Sequence, residues 1–201
     1  MNKIIGLILA ILFSSQLQAG DAAKGEAKTG VCATCHGVDG NSRAGQTPPA
    51  PKLAGQSAKY LVKQLKDFKS KERDNALMLG MAGMLSDEDI ENVATYYASQ
   101  KVQYMAVSDK YIKTAEKIYR GGDSDRDIPA CIACHGAKGN GLSTAGFPAI
   151  GGQHPDYTIA TLKAFRSGAR SNDANGIMRD IVAKMSDKQI EALGYYLVGL
   201  H

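Results

Sequence analysis

All four cysteines of this chain lie in two copies of one pattern, VCATCHG at 31–37 and ACIACHG at 130–136. Cysteine pairs at this spacing have four common uses. Exported proteins join cysteines as disulfides, but a disulfide has no need of a following histidine. Four-cysteine zinc sites usually place their pairs about 15–20 residues apart, whereas Cys35 and Cys131 are 96 apart. A thioredoxin-like dithiol belongs in a βαβ setting and does not call for the histidine. In the fourth use, the thiols add to the vinyl groups of a haem and the histidine binds its iron. Two copies with no cysteine left over favour covalent haem. Cys32, Cys35, Cys131 and Cys134 are then the attachment points, and His36 and His135 each fill one axial position.

The function depends on the other axial position. The two remaining histidines, His154 and the terminal His201, cannot serve both sites symmetrically, and His154 has no counterpart in the first half. Both are read as surface residues. Methionine is the other strong donor. Met78 and Met178 each stand eight residues before a serine, Ser86 or Ser186, that opens the last helix of its half. Met185 sits directly before its serine, where an apolar residue packs on the first helical turns. Met81 and Met84 align with Ile181 and Lys184. Met78 and Met178 are therefore assigned as ligands, with Met81 and Met84 left as alternatives in the methionine-rich LMLGMAGML of the first half.

These residues need scaffolding, and the chain supplies it twice. HGVDGN at 36–41 matches HGAKGN at 135–140, PKLAGQ at 51–56 matches PAIGGQ at 148–153, and YLVKQLKDFKS at 60–70 matches YTIATLKAFRS at 157–167. LSDEDI at 85–90 matches MSDKQI at 185–190, so the offset drifts only between 97 and 100 residues. Such self-similarity along nearly the whole length reads as two related domains, residues 20–100 and 111–201, joined by a linker at 101–110. Apolar positions recur at helix spacing, as in Leu61, Leu65 and Phe68 or Ile159, Leu162 and Phe165, and no strand-length run alternates. Ser86 with Asp89, and better Ser186 with Gln189, fit a capping box. Domains this small bury little core of their own, and a porphyrin would supply the missing apolar mass.

Residues 1–19 stand apart. Lys3, the apolar run Ile4 to Phe13 and a polar tail ending on Ala19 have the layout of a secretory leader. Ten helical residues span about 15 Å, half a bilayer core, so removal is expected over retention as an anchor. Loss of Lys3 leaves 23 basic against 20 acidic residues, a net +3, too mild for nucleic acid. Residues 20–100 hold ten basic and ten acidic side chains, residues 101–201 thirteen and ten. Lys59, Lys63 and Lys66 share a helix face that would suit an acidic partner or simply lie in solvent. The expected location is a periplasm.

The paired haem motifs, PKLAGQ and PAIGGQ, AGFPAIGGQH at 145–154, and the two methionines ahead of the final helices resemble the di-haem cytochromes c of the cytochrome c4 type. The resemblance runs from about Asp21 to His201. It implies an all-α fold of two class I cytochrome c domains related by duplication, each wrapped around one covalent haem c with His/Met ligation. It also implies that Pro51 and Pro148 offer their carbonyls to the rings of His36 and His135. The first half departs from the second in its proline-rich TPPAPKL.

Histidine on one face and thioether on the other close the iron to substrate, which points to electron transfer. The family implies a cytochrome bc complex as donor and a haem-copper terminal oxidase as acceptor. A cytochrome subunit serving a periplasmic dehydrogenase shares every site residue. A di-haem peroxidase needs one iron with an open position, and a zinc-binding structural protein is more remote still.

Overall fold

A computed structural model describes residues 20–201; the expected leader at 1–19 lies outside the described residues. The first half forms α1 (Ala22–Lys28), α2 (Gly30–His36), α3 (Ala58–Ser70), α4 (Ala76–Gly83) and α5 (Asp87–Ser99). The second forms α6 (Asp109–Gly121), α7 (Ile132–His135), α8 (Pro155–Ser167), α9 (Ile177–Ala183) and α10 (Asp187–Leu197), with short 3₁₀ turns between. Among the described residues there is no strand, only the isolated bridges Asp123–Ile128 and Leu142–Phe147. The fold is all-α, as the helical spacing required.

Each half is built the same way. α1 packs on α5 and α6 on α10; α3 and α8 lie against α5 and α10, and α4 and α9 lie against α3 and α8. The apolar spacing explains these contacts. Leu61 of α3 meets Val93, Ala94 and Tyr97 of α5, and in the second half Phe165 joins Ile190, Leu193 and Leu197 of α10. Both final helices open with complete capping boxes. Asp89 performs the reciprocal contact as well as Gln189 does, accepting the Ser86 N–H at 3.1 Å. The starts of α3 and α8 solve one problem in two ways. Ser57 accepts from the Tyr60 N–H, whereas Pro155 brings no N–H that needs a partner.

Residues 101–108 run between the halves without helix, and Asp109 and Lys110, placed in the linker by the repeat, already form the first turn of α6. Val102 of this segment wedges between two repeat-related glycines. A Cβ on Gly55 or Gly152 would lie 2.6 or 2.4 Å from its methyl groups, and both glycines have positive φ, +65° and +75°. Glycine is required at both places by space and by conformation.

Candidate haem sites

α2 and α7 place each histidine at a helix end with its pair of cysteines in the preceding turn. Nδ1 of His36 lies 2.9 Å from the Pro51 carbonyl, and Nδ1 of His135 lies 2.9 Å from that of Pro148. A carbonyl can only accept, so the ring proton sits on Nδ1 and Nε2 keeps its lone pair. Both rings are buried, 8% and 7% exposed. Burial lowers both pKa values against the opposing pull of the proline carbonyls. A neutral imidazole of fixed tautomer with a free Nε2 is what an iron ligand requires.

The four cysteines are half-buried, and none is joined to another as a disulfide. Burial pushes Cys32 up and Cys131 up to about 11, the reverse of what thiolate chemistry needs. Among the described residues no group of three or more His, Cys, Asp and Glu could hold a metal ion. Thiols beside a preset imidazole, repeated once per half, fit covalent haem.

The methionines are placed unequally. Met178, at the start of α9, packs half-buried against the same core as Cys131, whereas Met185 is a core residue, 5% exposed, whose carbonyl accepts from Arg166 at 3.0 Å. In the first half Met78 and Met81 of α4 are both half-buried and Met84 is 64% exposed. The N–H of Met78 donates to Asn75, which caps α4. Before α9, Asp173 instead receives the Arg179 N–H and its Nε at 3.0 and 2.8 Å.

One sequence reading is corrected. His154 is not a surface residue: it is 4% exposed, and its Nε2 meets the Asn41 carbonyl at 3.1 Å and the Ser42 hydroxyl at 2.9 Å in the other half. It serves the contact between halves. The lysine stripe is exposed, as the solvent reading has it, and two of its members also touch the other half. Lys59 donates to the Thr144 carbonyl at 3.1 Å and Lys63 to that of Asn172 at 3.1 Å, both in the second half, while Lys66 pairs with Glu91 at 3.6 Å. His201 is exposed, as read.

Sequence reasoning passed over Gln56 and Gln153, which close PKLAGQ and PAIGGQ. Each reaches into the opposite half, Gln56 to the backbone of Ala149 and Gln153 to that of Lys52. A polar side chain kept at the same place in both copies of the segment was the available clue.

The cytochrome c family profile matches residues 22–101 and 112–201, one match to each half. The cytochrome c4 of Pseudomonas aeruginosa is 45% identical over 204 residues, covering 100% of both chains. This chain belongs to the cytochrome c4 family. The crystal structure of reduced recombinant cytochrome c4 from Pseudomonas stutzeri superposes with a TM-score of 0.86 at 47% identity, over 91% of this chain and 100% of that one. A thiosulfate dehydrogenase electron acceptor of Stutzerimonas stutzeri is 38% identical, over 96% of this chain and 92% of its own length. As a member of the cytochrome c4 family, the chain is an electron-transfer protein of two cytochrome c domains, with covalent haem c at the motifs 32–35 and 131–134. Among the described residues no helix is long and apolar enough to cross a membrane.

Proposed function

We propose that this di-haem cytochrome carries single electrons through a periplasmic respiratory chain, from a cytochrome bc complex towards a haem-copper terminal oxidase. In this reading Cys32 and Cys35 hold one haem and Cys131 and Cys134 the other, with His36 and Met78, then His135 and Met178, as axial ligands. Bound haem iron would supply the one-electron couple, and a methionine thioether as ligand would raise its potential. The protein's part is to keep each imidazole neutral, turned and dry: Pro51 and Pro148 fix the rings, and burial keeps protons and water off Nε2. The single observation that carries this is the free Nε2 of a buried, carbonyl-locked histidine beside a cysteine pair, present once in each domain.

The domains are taken as residues 20–100 and 111–201 around a linker at 101–110, with a leader removed after Ala19. Expression with export and haem-attachment machinery tests the processing, haem content and ligation in this reading. The expected product begins at Gly20, has the mass of two covalent haems, and gives low-spin spectra with a thioether-to-iron charge-transfer band. Fewer than two haems, carbon monoxide binding by the reduced protein at neutral pH, or steady peroxide turnover would overturn it.

A second reading has specific support. The thiosulfate dehydrogenase electron acceptor matches nearly the whole chain, which favours an acceptor for a periplasmic dehydrogenase. Rapid reduction by such an enzyme, with none by a bc complex, would select this role.

A further inference from the structure

The peptide unit joining Pro51 to Lys52 is engaged on both edges. Its carbonyl lies 2.9 Å from Nδ1 of His36, and its N–H donates to Oε1 of Gln153, in the other domain, at 2.9 Å. Gln153 is oriented by two more bonds: its Nε2 donates to the Lys52 carbonyl at 3.0 Å, and its Oε1 also accepts the His154 N–H at 2.9 Å. The second domain repeats the device. The unit joining Pro148 to Ala149 takes the His135 Nδ1 proton at 2.9 Å and donates its N–H to Oε1 of Gln56 at 2.9 Å. Nε2 of Gln56 donates to the Ala149 carbonyl at 2.8 Å, and the Ser57 N–H holds its Oε1 at 3.0 Å.

We propose that each glutamine is a positioning residue for the opposite domain's axial histidine: Gln153 acts on His36, and Gln56 acts on His135. A peptide unit is one resonance system. Donation of its N–H to an acceptor increases the negative charge on its oxygen, so the hydrogen bonds strengthen one another. The carbonyl then pulls harder on the Nδ1 proton, leaves more electron density at Nε2, and makes the imidazole a more basic ligand. A more basic ligand favours Fe(III) and lowers the reduction potential. The crossed wiring makes each haem's potential depend on a side chain of the other domain. The inference rests on His36 and His135 being the iron ligands.

The test uses the full di-haem protein with Gln153→Met and, separately, Gln56→Met. The two haem potentials are followed by redox titration with proton NMR, each haem assigned through contacts to the protons of Cys32 or Cys131. The ¹⁵N–H resonances of the histidine Nδ1 groups are recorded on the same samples. Gln153→Met is expected to raise the potential of the first domain's haem and to shift the His36 Nδ1–H signal, with the second domain's haem at its wild-type value. Gln56→Met is expected to do the converse. Gln153→Glu keeps an acceptor for the Lys52 N–H and should move the His36 signal back from the Gln153→Met position, towards or past the wild-type one. Equal shifts at both haems would make the glutamines mere adhesive between domains and overturn the proposal. So would a shift confined to the glutamine's own domain, or no shift at all. Ligation is judged separately: in ferric wild-type protein the ring signals of His36 and His135 must be hyperfine-shifted, whatever the glutamines do.

Discussion

Arg73 of the first domain donates from Nη2 to the hydroxyl of Tyr157 in the second at 3.0 Å. The second domain returns the contact, Arg170 Nη2 donating to the hydroxyl of Tyr60 at 2.9 Å. Tyr60 and Tyr157 are equivalent in the repeat, and each arginine also stacks on a phenylalanine of its own domain, Arg73 on Phe68 and Arg170 on Phe165. Gln64 ties the group together by accepting from Arg73, Arg170 and Asn172. The halves thus meet as copies of one surface, in the reciprocal manner of a two-fold dimer.

Tyr157 should therefore titrate early. Burial pushes its phenol up, but the guanidiniums of Arg73 and Arg170 outweigh this and bring it from the ordinary 10 down to about 8. Carbon NMR of the Tyr157 ring should show a midpoint near that value. The folded pKa is the lower one, so the ionisation stabilises the fold fully above pH 10 and not at all once pH has fallen through 8. The stability gap between wild type and Tyr157→Phe should widen between pH 8 and pH 10. At neutral pH it should be roughly 1.5–3 kcal/mol, the worth of a hydrogen bond to a charged group. A gap that stays flat or narrows over that interval would contradict the assignment.

The two methionines of the second domain should separate cleanly. Met178→Ala should abolish that domain's share of the thioether-to-iron band. Met185→Ala should keep the band but lose about 2–5 kcal/mol of stability, the usual cost of truncating a core methionine. Loss of the band from Met185→Ala alone would reverse the ligand assignment.

Gly25 should resist replacement although it lies in a helix. Alanine there gains about 1 kcal/mol of helix propensity, but its Cβ would stand 2.1 Å from the Asn92 carbonyl oxygen where α1 meets α5. The obstruction is backbone, which cannot rotate away, and overpacking typically costs about 1–3 kcal/mol. Gly25→Ala should lower the melting temperature. Gly121→Ala, at the exposed end of α6 with nothing within 4 Å of its Cβ, should not.

Acid should weaken the cap of α5 late. The Ser86 hydroxyl and then Lys28, 3.0 Å away, hold Asp89 at about 2, below its ordinary 3.8. Its contribution is present above pH 3.8 and disappears as pH falls through 2. Ser86→Ala should raise the Asp89 midpoint measured by NMR, and the stability advantage of wild type over that variant should shrink between pH 4 and pH 2.

Much was legible beforehand because it is local. The C-x-x-C-H spacing, the period of Leu61, Leu65 and Phe68, and the serines before α5 and α10 act over one to four residues, within the reach of a helical turn. The duplication was legible too, since copied chemistry leaves copied letters. What escaped were contacts between residues about a hundred positions apart. His154 looked idle until Asn41 and Ser42 closed over it, and the exposed Lys63 gave no sign that it would also reach the Asn172 carbonyl.

The amino-acid sequence by itself determined two helical modules and the places of their cysteines and histidines, because each depends on spacing along one helix or on repetition. Only the tertiary structure decided that the modules face each other through Gln56, Gln153, Arg73 and Arg170. A side chain's own sequence neighbours do not reveal which distant backbone group will leave it buried and in need of a partner.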